Sequence, residues 1–500
     1  MGKFCKLDPA GLKVLRQVGP YLMSYNVEMT EVTGGTFWKA YTPGQINGTE
    51  TFAGVEELGA DMINTEGLMQ YYPPIELSSP RFRKLAKALG TAWVRVSGSW
   101  STKTYYDFDG HTNGKIPDGY QNVLTRERWI ALLDFVKHIG GKLMISLANC
   151  EGLHSAHEPW EPSQAKQIFA LSKEYGVPIQ AVETANEPNP LRESGFPIGY
   201  TAADFVRDQD LLCKWVRANY PDTIIVGPST ISGEYGMGPS KALWNMDIIP
   251  TEQLLEDAQE PLDIFSYHFY NGVSERFASI LPGGHWLPEQ ALSEAYLDAA
   301  PACAKRYLSK RDRFVPGAPI WVTEAGDSCG GGSTWASTYL DVPRTLNELA
   351  SFATLTDGVV FHNTLASSDY GFLHHTSFEP RPNYFAALLW NRLMGTTVYD
   401  AGPVSEGAHI YAHSRRDGKD GVTYLIINNS EADATTVELP KDAQRYTLAG
   451  KDGNKRATVM TLNGTDLVLG DGDSLPAMEP VCESAGKIEL APMTCTFLVL

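Results

Sequence analysis

The sequence contains no run of about eighteen apolar residues, so it predicts no helix that crosses a membrane. It has no C-x-x-C spacing, which disfavours zinc sites and thioredoxin-type chemistry, and its odd number of cysteines allows at most a few disulfides. No G-x-G-x-x-G segment opens a helix, which disfavours a nucleotide-binding doubly wound sheet. The seven cysteines are scattered along the chain: Cys5, Cys150, Cys213, Cys303, Cys329, Cys482 and Cys495.

Basic side chains are scarce relative to acidic ones. The 500 residues include 41 lysines and arginines against 59 aspartates and glutamates, which gives a formal net charge of −18. A surface of this sign repels polyphosphate and anionic lipid, so neither nucleic acid nor a membrane is an expected partner. Hydrophobic content of 43% and charged content of 20% are typical of a globular protein, and the length suits one large domain with a smaller one.

The first residues, MGKFCKLDPAGLKVL, contain no apolar segment of signal-peptide length. The favoured interpretation is a secreted or periplasmic protein whose signal has been removed, and a cytoplasmic location is the alternative. Three N-x-[ST] sequons begin at Asn47, Asn428 and Asn463, and they matter only in a secreting eukaryotic host.

Residues 20–395 alternate between short β-rich runs and amphipathic helical stretches. Most of the β-rich runs are continuously apolar, as expected for parallel strands that are buried on both faces. Eight such strands, each followed by a helical pattern, predict a (β/α)8 TIM barrel as the catalytic domain. The eight runs are residues 21–27, 92–98, 142–149, 179–186, 223–228, 262–268, 319–325 and 358–364.

The pattern changes after residue 395. Short alternating runs such as VTYLIIN at 422–428 are separated by Gly, Asp and Asn, which predicts an antiparallel β-sandwich over residues 396–500. The N-terminal segment 1–19 is expected to join this second domain.

Two acidic residues follow predicted barrel strands at the positions where such folds place their chemistry. Glu187 comes after the fourth strand in VETANEPNP, and Glu324 ends the seventh in PIWVTEAGDS. Two carboxyl groups on either side of a glycosidic bond are the basic equipment for its hydrolysis: one donates a proton and the other attacks carbon or activates water. Asn186 is placed to bind the sugar hydroxyl next to the reacting carbon. The pair predicts a glycoside hydrolase.

This arrangement resembles the retaining glycosidases of clan A and, among them, the heparanase-like glycoside hydrolases of family 79. In that family a run of glycines follows the nucleophile, as Gly330, Gly331 and Gly332 follow Glu324 here. SDYGFL and EPRPNYFAALLWNRLMGTTV resemble the family's strand-eight loop and closing helix, and LNGTDLVLGDGDSLPAMEP and TCTFLVL resemble the end of its sandwich domain. The likeness covers nearly the whole chain.

The resemblance implies roles for further residues. Gly330 and Gly331 would hold the carboxylate of a uronic acid through their N–H groups, with the hydroxyl of Tyr370 as another donor. His268 and Tyr270 in SYHFYNG would orient the nucleophile and keep it ionised.

Two further polar residues lie at the ends of the first two barrel strands. By resemblance Glu28 would grip sugar hydroxyls, and a solvated loop glutamate is the alternative. Arg95 is a candidate to steady the carboxylates, although a structural role is favoured. His154 and His157 lack a third ligand, and we expect no metal and no organic cofactor.

Together these observations predict a retaining β-glucuronidase with Glu324 as nucleophile and Glu187 as acid/base, acting on a glucuronic-acid-containing saccharide or glucuronide. Members of the family in mammals lose a long linker after strand two, whereas only residues 99–123 lie there in this chain, so an uncleaved enzyme is expected. The net charge of −18 favours removal of a terminal sugar over internal cleavage of a polyanionic glycosaminoglycan. Internal cleavage, a clan relative acting on neutral glycosides, and a carbohydrate-binding protein without activity are the alternatives.

Overall fold

A computed structural model of the chain describes residues 3–52, 66–232, 248–277, 284–402 and 404–500. The strands are β1 (Lys3–Lys6), β2 (Lys13–Gln17), β3 (Met23–Glu28), β4 (Gly35–Trp38), β5 (Met69–Tyr72), β6 (Trp93–Ser97), β7 (Thr104–Asp107), β8 (Asn122–Thr125), β9 (Lys142–Ser146), β10 (Ala181–Glu183), β11 (Ile224–Ile231), β12 (Ile264–Val273), β13 (Ile320–Cys329), β14 (Val360–His362), β15 (Met394–Asp400), β16 (His409–Arg415), β17 (Val422–Asn428), β18 (Thr435–Leu439), β19 (Ala443–Gly450), β20 (Met460–Leu462), β21 (Thr465–Asp466), β22 (Val481–Glu483), β23 (Gly486–Leu490) and β24 (Thr494–Val499). The helices are α1 (Met29–Thr33), α2 (Pro43–Asn47), α3 (Pro80–Ala88), α4 (Ser99–Thr102), α5 (Arg126–Ile139), α6 (Ser163–Tyr175), α7 (Leu191–Ser194), α8 (Ala202–Asn219), α9 (Glu294–Leu297), α10 (Ala299–Phe314), α11 (Asp341–Leu355) and α12 (Pro382–Leu393).

Eight strands close into a parallel barrel in the order β3, β6, β9, β10, β11, β12, β13 and β14, with β14 pairing back to β3. Each of the eight predicted runs overlaps one of these strands, so the predicted fold class is confirmed. The strands are buried on both faces: every residue of β3 and of β6 is buried, including the polar side chains of Glu28 and Arg95.

The structure corrects several predicted strand ends: β3 ends at Glu28 and β11 at Ile231 rather than at residues 27 and 228, and the largest differences concern two neighbouring strands. The sequence predicted ends at His268 and Ala325, whereas β12 runs to Val273 and β13 to Cys329. The two strands continue to pair with each other beyond the last residue at which β13 pairs with β14. This two-stranded extension projects from the carboxyl end of the barrel, and it carries the glycine run on its tip.

The helices begin and end where capping chemistry places them. Helix α5 illustrates the pattern: Thr125 accepts a hydrogen bond from Arg128 N at its start, and Gly140 in the left-handed conformation ends it. Its apolar face buries Trp129 and neighbouring aliphatic side chains against the barrel. Within the described ranges, no helix is long and apolar enough to cross a bilayer.

Two further sheets of three or more strands lie outside the barrel, and their strands pair in antiparallel fashion except for β1 and β18, which pair in parallel. The larger one has the order β2-β15-β16-β17-β24-β19-β20-β21, with β22 paired to β19, and a three-stranded sheet has the order β1-β18-β23. Alternate residues of β17 face opposite sides: Tyr424 and Ile426 pack in the core that the two sheets share, whereas Leu425 and Ile427 pack with the barrel's cluster. The predicted boundaries at residues 19 and 395 stay a prediction.

All seven cysteines are free thiols. Four of them are buried, so the fold is held by packing rather than by disulfide bonds.

Candidate active site

Two carboxyl groups face each other at the carboxyl end of the barrel. Glu187 lies four residues beyond β10 with a backbone φ of 46°, and Ser194 Oγ donates a 2.5 Å hydrogen bond to its carbonyl oxygen. Glu324 lies within β13, where the pairing with β14 shifts register between Val322 and Ala325. Such an irregularity re-aims a strand side chain. One carboxylate oxygen of Glu187 and one of Glu324 lie within 4.8 Å of each other.

Three donors hold the Glu324 carboxylate. Tyr270 Oη donates to its Oε1 at 2.5 Å, Asn363 Nδ2 donates to the same oxygen at 3.2 Å, and Arg95 Nη1 donates to its Oε2 at 3.3 Å. Burial raises the pKa of Glu324, as does the nearby charge of Glu187, whereas Arg95 and the Tyr270 hydrogen bond act in the opposite direction. The carboxylate is therefore fixed in position and held by groups that favour its ionised form.

Arg95 anchors the floor of the site. Its side chain has no exposed surface, and Nη2 donates to Glu183 Oε1 at 2.5 Å and to Asn186 Oδ1 at 2.8 Å. Glu183 also accepts hydrogen bonds from Ser146 Oγ and Ser229 Oγ, so both members of this buried ion pair have several partners. The sequence analysis favoured a structural role for Arg95 and did not single out Glu183, whereas Arg95 contacts Glu324 and Asn186 directly.

His268 lies between the two carboxyl groups. Burial lowers the pKa of His268 to about 4, so its imidazole is neutral. Its Nε2 lies 3.2 Å from Arg95 Nη2, which only donates, so Nε2 is the acceptor and the proton is on Nδ1. That N–H points at Glu187 Oε1 at 2.9 Å and lies 3.5 Å from Glu324 Oε2. The imidazole therefore contacts the predicted acid/base more closely than the predicted nucleophile.

Burial raises the pKa of Glu187 to about 7, and its side chain lacks the three donors that surround Glu324. Glycoside hydrolysis by two carboxyl groups needs one protonated acid and one ionised carboxylate. The donors around Glu324 favour Glu187 as the protonated member, in line with the predicted roles.

Glu28 supplies a third buried carboxyl group as the last residue of β3. Its pKa is raised well above the ordinary value by burial and by the charges of Glu324 and Glu31. Its Oε2 is buried and has no hydrogen-bond partner among the described residues. Glu28 lies at the carboxyl end of the first barrel strand, close enough to Glu324 for their charges to interact, and its role in sugar binding stays a prediction. The side-chain oxygen of Asn186 accepts a hydrogen bond from Arg95, so its amide nitrogen is the group that would donate to a sugar hydroxyl in the predicted role.

The glycine run forms a tight loop beside these groups. Gly330, Gly331 and Gly332 have φ values of 80°, 91° and 85°, which side chains rarely tolerate. A Cβ at Gly331 would lie 2.7 Å from Trp38 Cβ. The N–H groups of Gly330 and Gly331 donate to no described residue, whereas Gly332 N donates to Ser328 O.

Asn363 contacts both Tyr370, in the loop after β14, and Glu324, the predicted nucleophile. Its Nδ2 lies 3.1 Å from Tyr370 Oη and 3.2 Å from Glu324 Oε1, so the predicted donor Tyr370 and the nucleophile share one partner. Tyr370 Oη accepts from Asn363, and a hydroxyl that accepts one hydrogen bond can still donate another. Sequence reasoning missed Asn363, although a polar residue directly after the eighth strand was the signal that it offered.

One group of described side chains has spacing that also suits a cation: Glu187, His268 and Glu324. The site fits a metal poorly, because the Nδ1 atom that faces both carboxylates carries the imidazole proton and offers no lone pair.

Comparison with known proteins shows which proteins the chain is similar to in sequence. No family model matches the chain. Heparanase-like protein 1 of Arabidopsis thaliana is 23% identical over 481 residues, which cover 85% of either chain. Baicalin-beta-D-glucuronidase of Scutellaria baicalensis is 24% identical over 467 residues, 85% of this chain and 84% of the relative. The chain is a homologue of the heparanase-like proteins.

A solved structure resembles this heparanase-like chain over its whole length. A 4-O-α-L-rhamnosyl-β-D-glucuronidase from Fusarium oxysporum, solved as a Rha-GlcA complex, superposes with a TM-score of 0.62 and covers 100% of each chain at 12% identity. At that identity the likeness establishes the fold, a barrel with an additional sandwich.

Proposed function

We propose that the protein is a retaining β-glucuronidase that removes a terminal β-D-glucuronic acid. The observation that carries the proposal is the closeness of two carboxyl groups, one oxygen of each within 4.8 Å of the other, next to a loop with two N–H groups that donate to no described residue. Retaining glycosidases hold their carboxyl groups about 5–5.5 Å apart, whereas inverting enzymes need about 6.5–9.5 Å to admit a water. The names of the relatives support the same substrate class.

The residues divide the reaction into two displacements. Glu324 attacks the anomeric carbon while the bond to the leaving oxygen breaks and Glu187 gives that oxygen its proton. Glu187, now ionised, then takes a proton from water, whose oxygen attacks the same carbon and breaks the ester to Glu324. His268 Nδ1–H stabilises Glu187 in the half of the cycle in which it is ionised. Two inversions return the sugar with its original configuration.

The sugar carboxylate fits the glycine loop. Two backbone N–H groups form a concave anion site, and the Tyr370 hydroxyl adds a third donor. Aromatic side chains wall the loop: the rings of Trp38 and Phe277 meet edge to face at 5.6 Å. In such apolar surroundings a bound carboxylate interacts strongly with its donors, and a neutral hexose leaves them unpaired.

Release of nitrophenol from the β-glucuronide and the β-glucoside tests the substrate class. We expect kcat/KM to be at least about 100-fold higher for the glucuronide, because the glucoside loses its hydrogen bonds to the loop. Equal turnover of both substrates would contradict the assignment of the glycine loop. Binding of glucuronate without turnover of either substrate would favour a carbohydrate-binding protein.

The pH profile tests the assignment of the acid. Because Glu187 has a pKa of about 7 and acts in its protonated form, kcat/KM should fall about tenfold per pH unit above that pKa. The measurement is kcat/KM for an alkyl glucuronide, whose leaving group needs the proton, between pH 4 and 9. The matched variant Glu187→Gln should lose this alkaline limb, and a flat wild-type profile up to pH 9 would exclude the assignment.

Terminal action is the finer part of the proposal. The net charge of −18 opposes the approach of a long polyanion. Incubation with a glucuronate-containing oligosaccharide should release free glucuronic acid from the start of the reaction. The appearance of shorter oligosaccharides before the monosaccharide would establish internal cleavage instead.

A further inference from the structure

One buried arginine holds the back of the glycine loop. Arg276 lies in the turn after β12, and its side chain is 1% exposed. Nη1 donates to Gly330 O at 3.1 Å and to Gly332 O at 2.9 Å, and Nη2 donates to Lys39 O at 2.7 Å and to Asp369 Oδ2 at 3.0 Å.

Arg276 connects four separate loops of the barrel mouth. Lys39 belongs to the loop after the first barrel strand, Arg276 to the loop after the sixth, the glycines to the seventh and Asp369 to the eighth. The guanidinium carbon also lies 3.8 Å from the centre of the Tyr41 ring, and Tyr41 Oη donates to Gly332 O. Only a planar group with five donors reaches these acceptors together while it stacks on a ring.

The contacts fix the direction of the two unpaired N–H groups. In a trans peptide the C=O and the following N–H point in opposite directions within one plane. Gly330 O is held by Arg276, so Gly331 N–H points away from Arg276. Cys329 O accepts from Ser274 N at 2.9 Å, so the N–H of Gly330, which belongs to the same peptide as Cys329 O, points away from Ser274. Both donors are therefore set before a ligand arrives.

The charge balance adds to this effect. Asp369 pairs with Arg276, so the cation is compensated while it polarises the Gly330–Gly331 peptide whose oxygen it binds. The loop thus gains a stronger N–H donor without placing a side-chain cation against the ligand.

We propose that Arg276 is the positioning residue that makes this site selective for a sugar carboxylate, because it orients the Gly330–Gly331 peptide toward that anion. This inference rests on the proposed function, since it names the residue that sets the substrate preference of the same site. Arg276 touches none of the groups assigned to bond cleavage, so its replacement should alter anion binding rather than chemistry.

The experiment compares inhibition of nitrophenol release by glucuronate and by its neutral amide in the wild type, Arg276→Lys and Arg276→Gln. In both variants we expect the inhibition constant of glucuronate to rise about 10- to 100-fold, while that of the amide changes less than about threefold. KM for the nitrophenyl glucuronide should rise in parallel with a smaller change in kcat. Equal weakening of both inhibitors, or no weakening, would overturn the proposal.

Two further variants separate selectivity from stability. Arg344→Gln removes another buried arginine, which pairs with Asp341 and Glu348 on α11, and it should leave the ratio of the two inhibition constants unchanged. Asp369→Asn keeps a polar partner for Arg276 and removes a negative charge, so it should bind glucuronate at least as tightly as the wild type, and weaker binding would count against the proposal. A wild type that neither cleaves glucuronides nor binds glucuronate would refute the proposed function itself. If the wild type cleaves glucuronides and binds glucuronate, and Arg276→Lys keeps the wild-type ratio of the two inhibition constants, this inference alone would be refuted.

Discussion

The Glu324→Gln variant should lose about 10⁴-fold or more in kcat on every glucuronide, because a neutral amide cannot form the covalent intermediate. Its amide oxygen can still accept from Tyr270 and the amide has the shape of the carboxylate, so the fold should persist although the hydrogen bond from Arg95 is lost. The measurement is single-turnover release of nitrophenol, together with the thermal unfolding midpoint. Glucuronate should still inhibit, since the glycine loop is intact.

A matched control uses another buried glutamate. Glu348 is 6% exposed against 7% for Glu324, and it pairs with Arg344 at 2.8 Å on α11, away from the mouth of the barrel. Glu348→Gln should keep kcat within about threefold of the wild type. If a folded Glu324→Gln protein retained turnover near that of the control, Glu324 would not be the nucleophile.

The Glu187→Gln variant should show a loss that depends on the leaving group. A nitrophenolate departs without protonation, so the first displacement survives, whereas a sugar alcohol needs the proton and its release should fall about 10²- to 10⁴-fold. Hydrolysis of the intermediate also slows because the base that activates water is missing. The measurement compares kcat/KM for nitrophenyl and alkyl glucuronides in the variant and in the wild type.

Azide provides the decisive control for this variant. It needs no general base, so it should restore turnover of the nitrophenyl glucuronide and yield a glucuronosyl azide in the β configuration. Glu151→Gln is the matched control variant, because Glu151 is an exposed carboxylate near the barrel mouth that accepts a hydrogen bond from Ile198 N at 3.1 Å. Its turnover should not change with azide, and its ratio of kcat/KM values for the two leaving groups should equal that of the wild type. An α-configured azide would contradict the retaining mechanism.

Most of the barrel can be predicted from the sequence because its strands are buried on both faces. Most of these strands are short apolar runs that differ from the amphipathic helices around them, and the ends of the predicted runs indicate Glu187 and Glu324. Continuation of β12 and β13 beyond these ends was not predicted, since their outer residues pair only with each other and this pairing joins segments about sixty residues apart.

The supports of the two carboxylates were harder to predict. Arg95 and Glu183 are 88 residues apart, and Asn363 and Tyr270 are 93 apart, so each contact depends on the stagger of the closed barrel. A single polar residue inside an apolar strand looks the same whether it faces a helix or the catalytic pair. The closer contact of His268 with Glu187 than with Glu324 likewise depends on the register shift between β12 and β13 beside Glu324.

The pairing of β1 with β18, and of β2 with β15, has a consequence for biosynthesis. The ribosome makes the first strands of the outer sheets about 430 residues before β18 emerges, which at roughly 5–20 residues per second is a delay of about 20 to 90 s. During that interval the whole barrel sequence is synthesised, while the edges of β1 and β2 remain without partners. The sandwich is thus the last part of the molecule to close, and removal of β1 and β2 would expose edges of the sheets that β15 and β18 share with them.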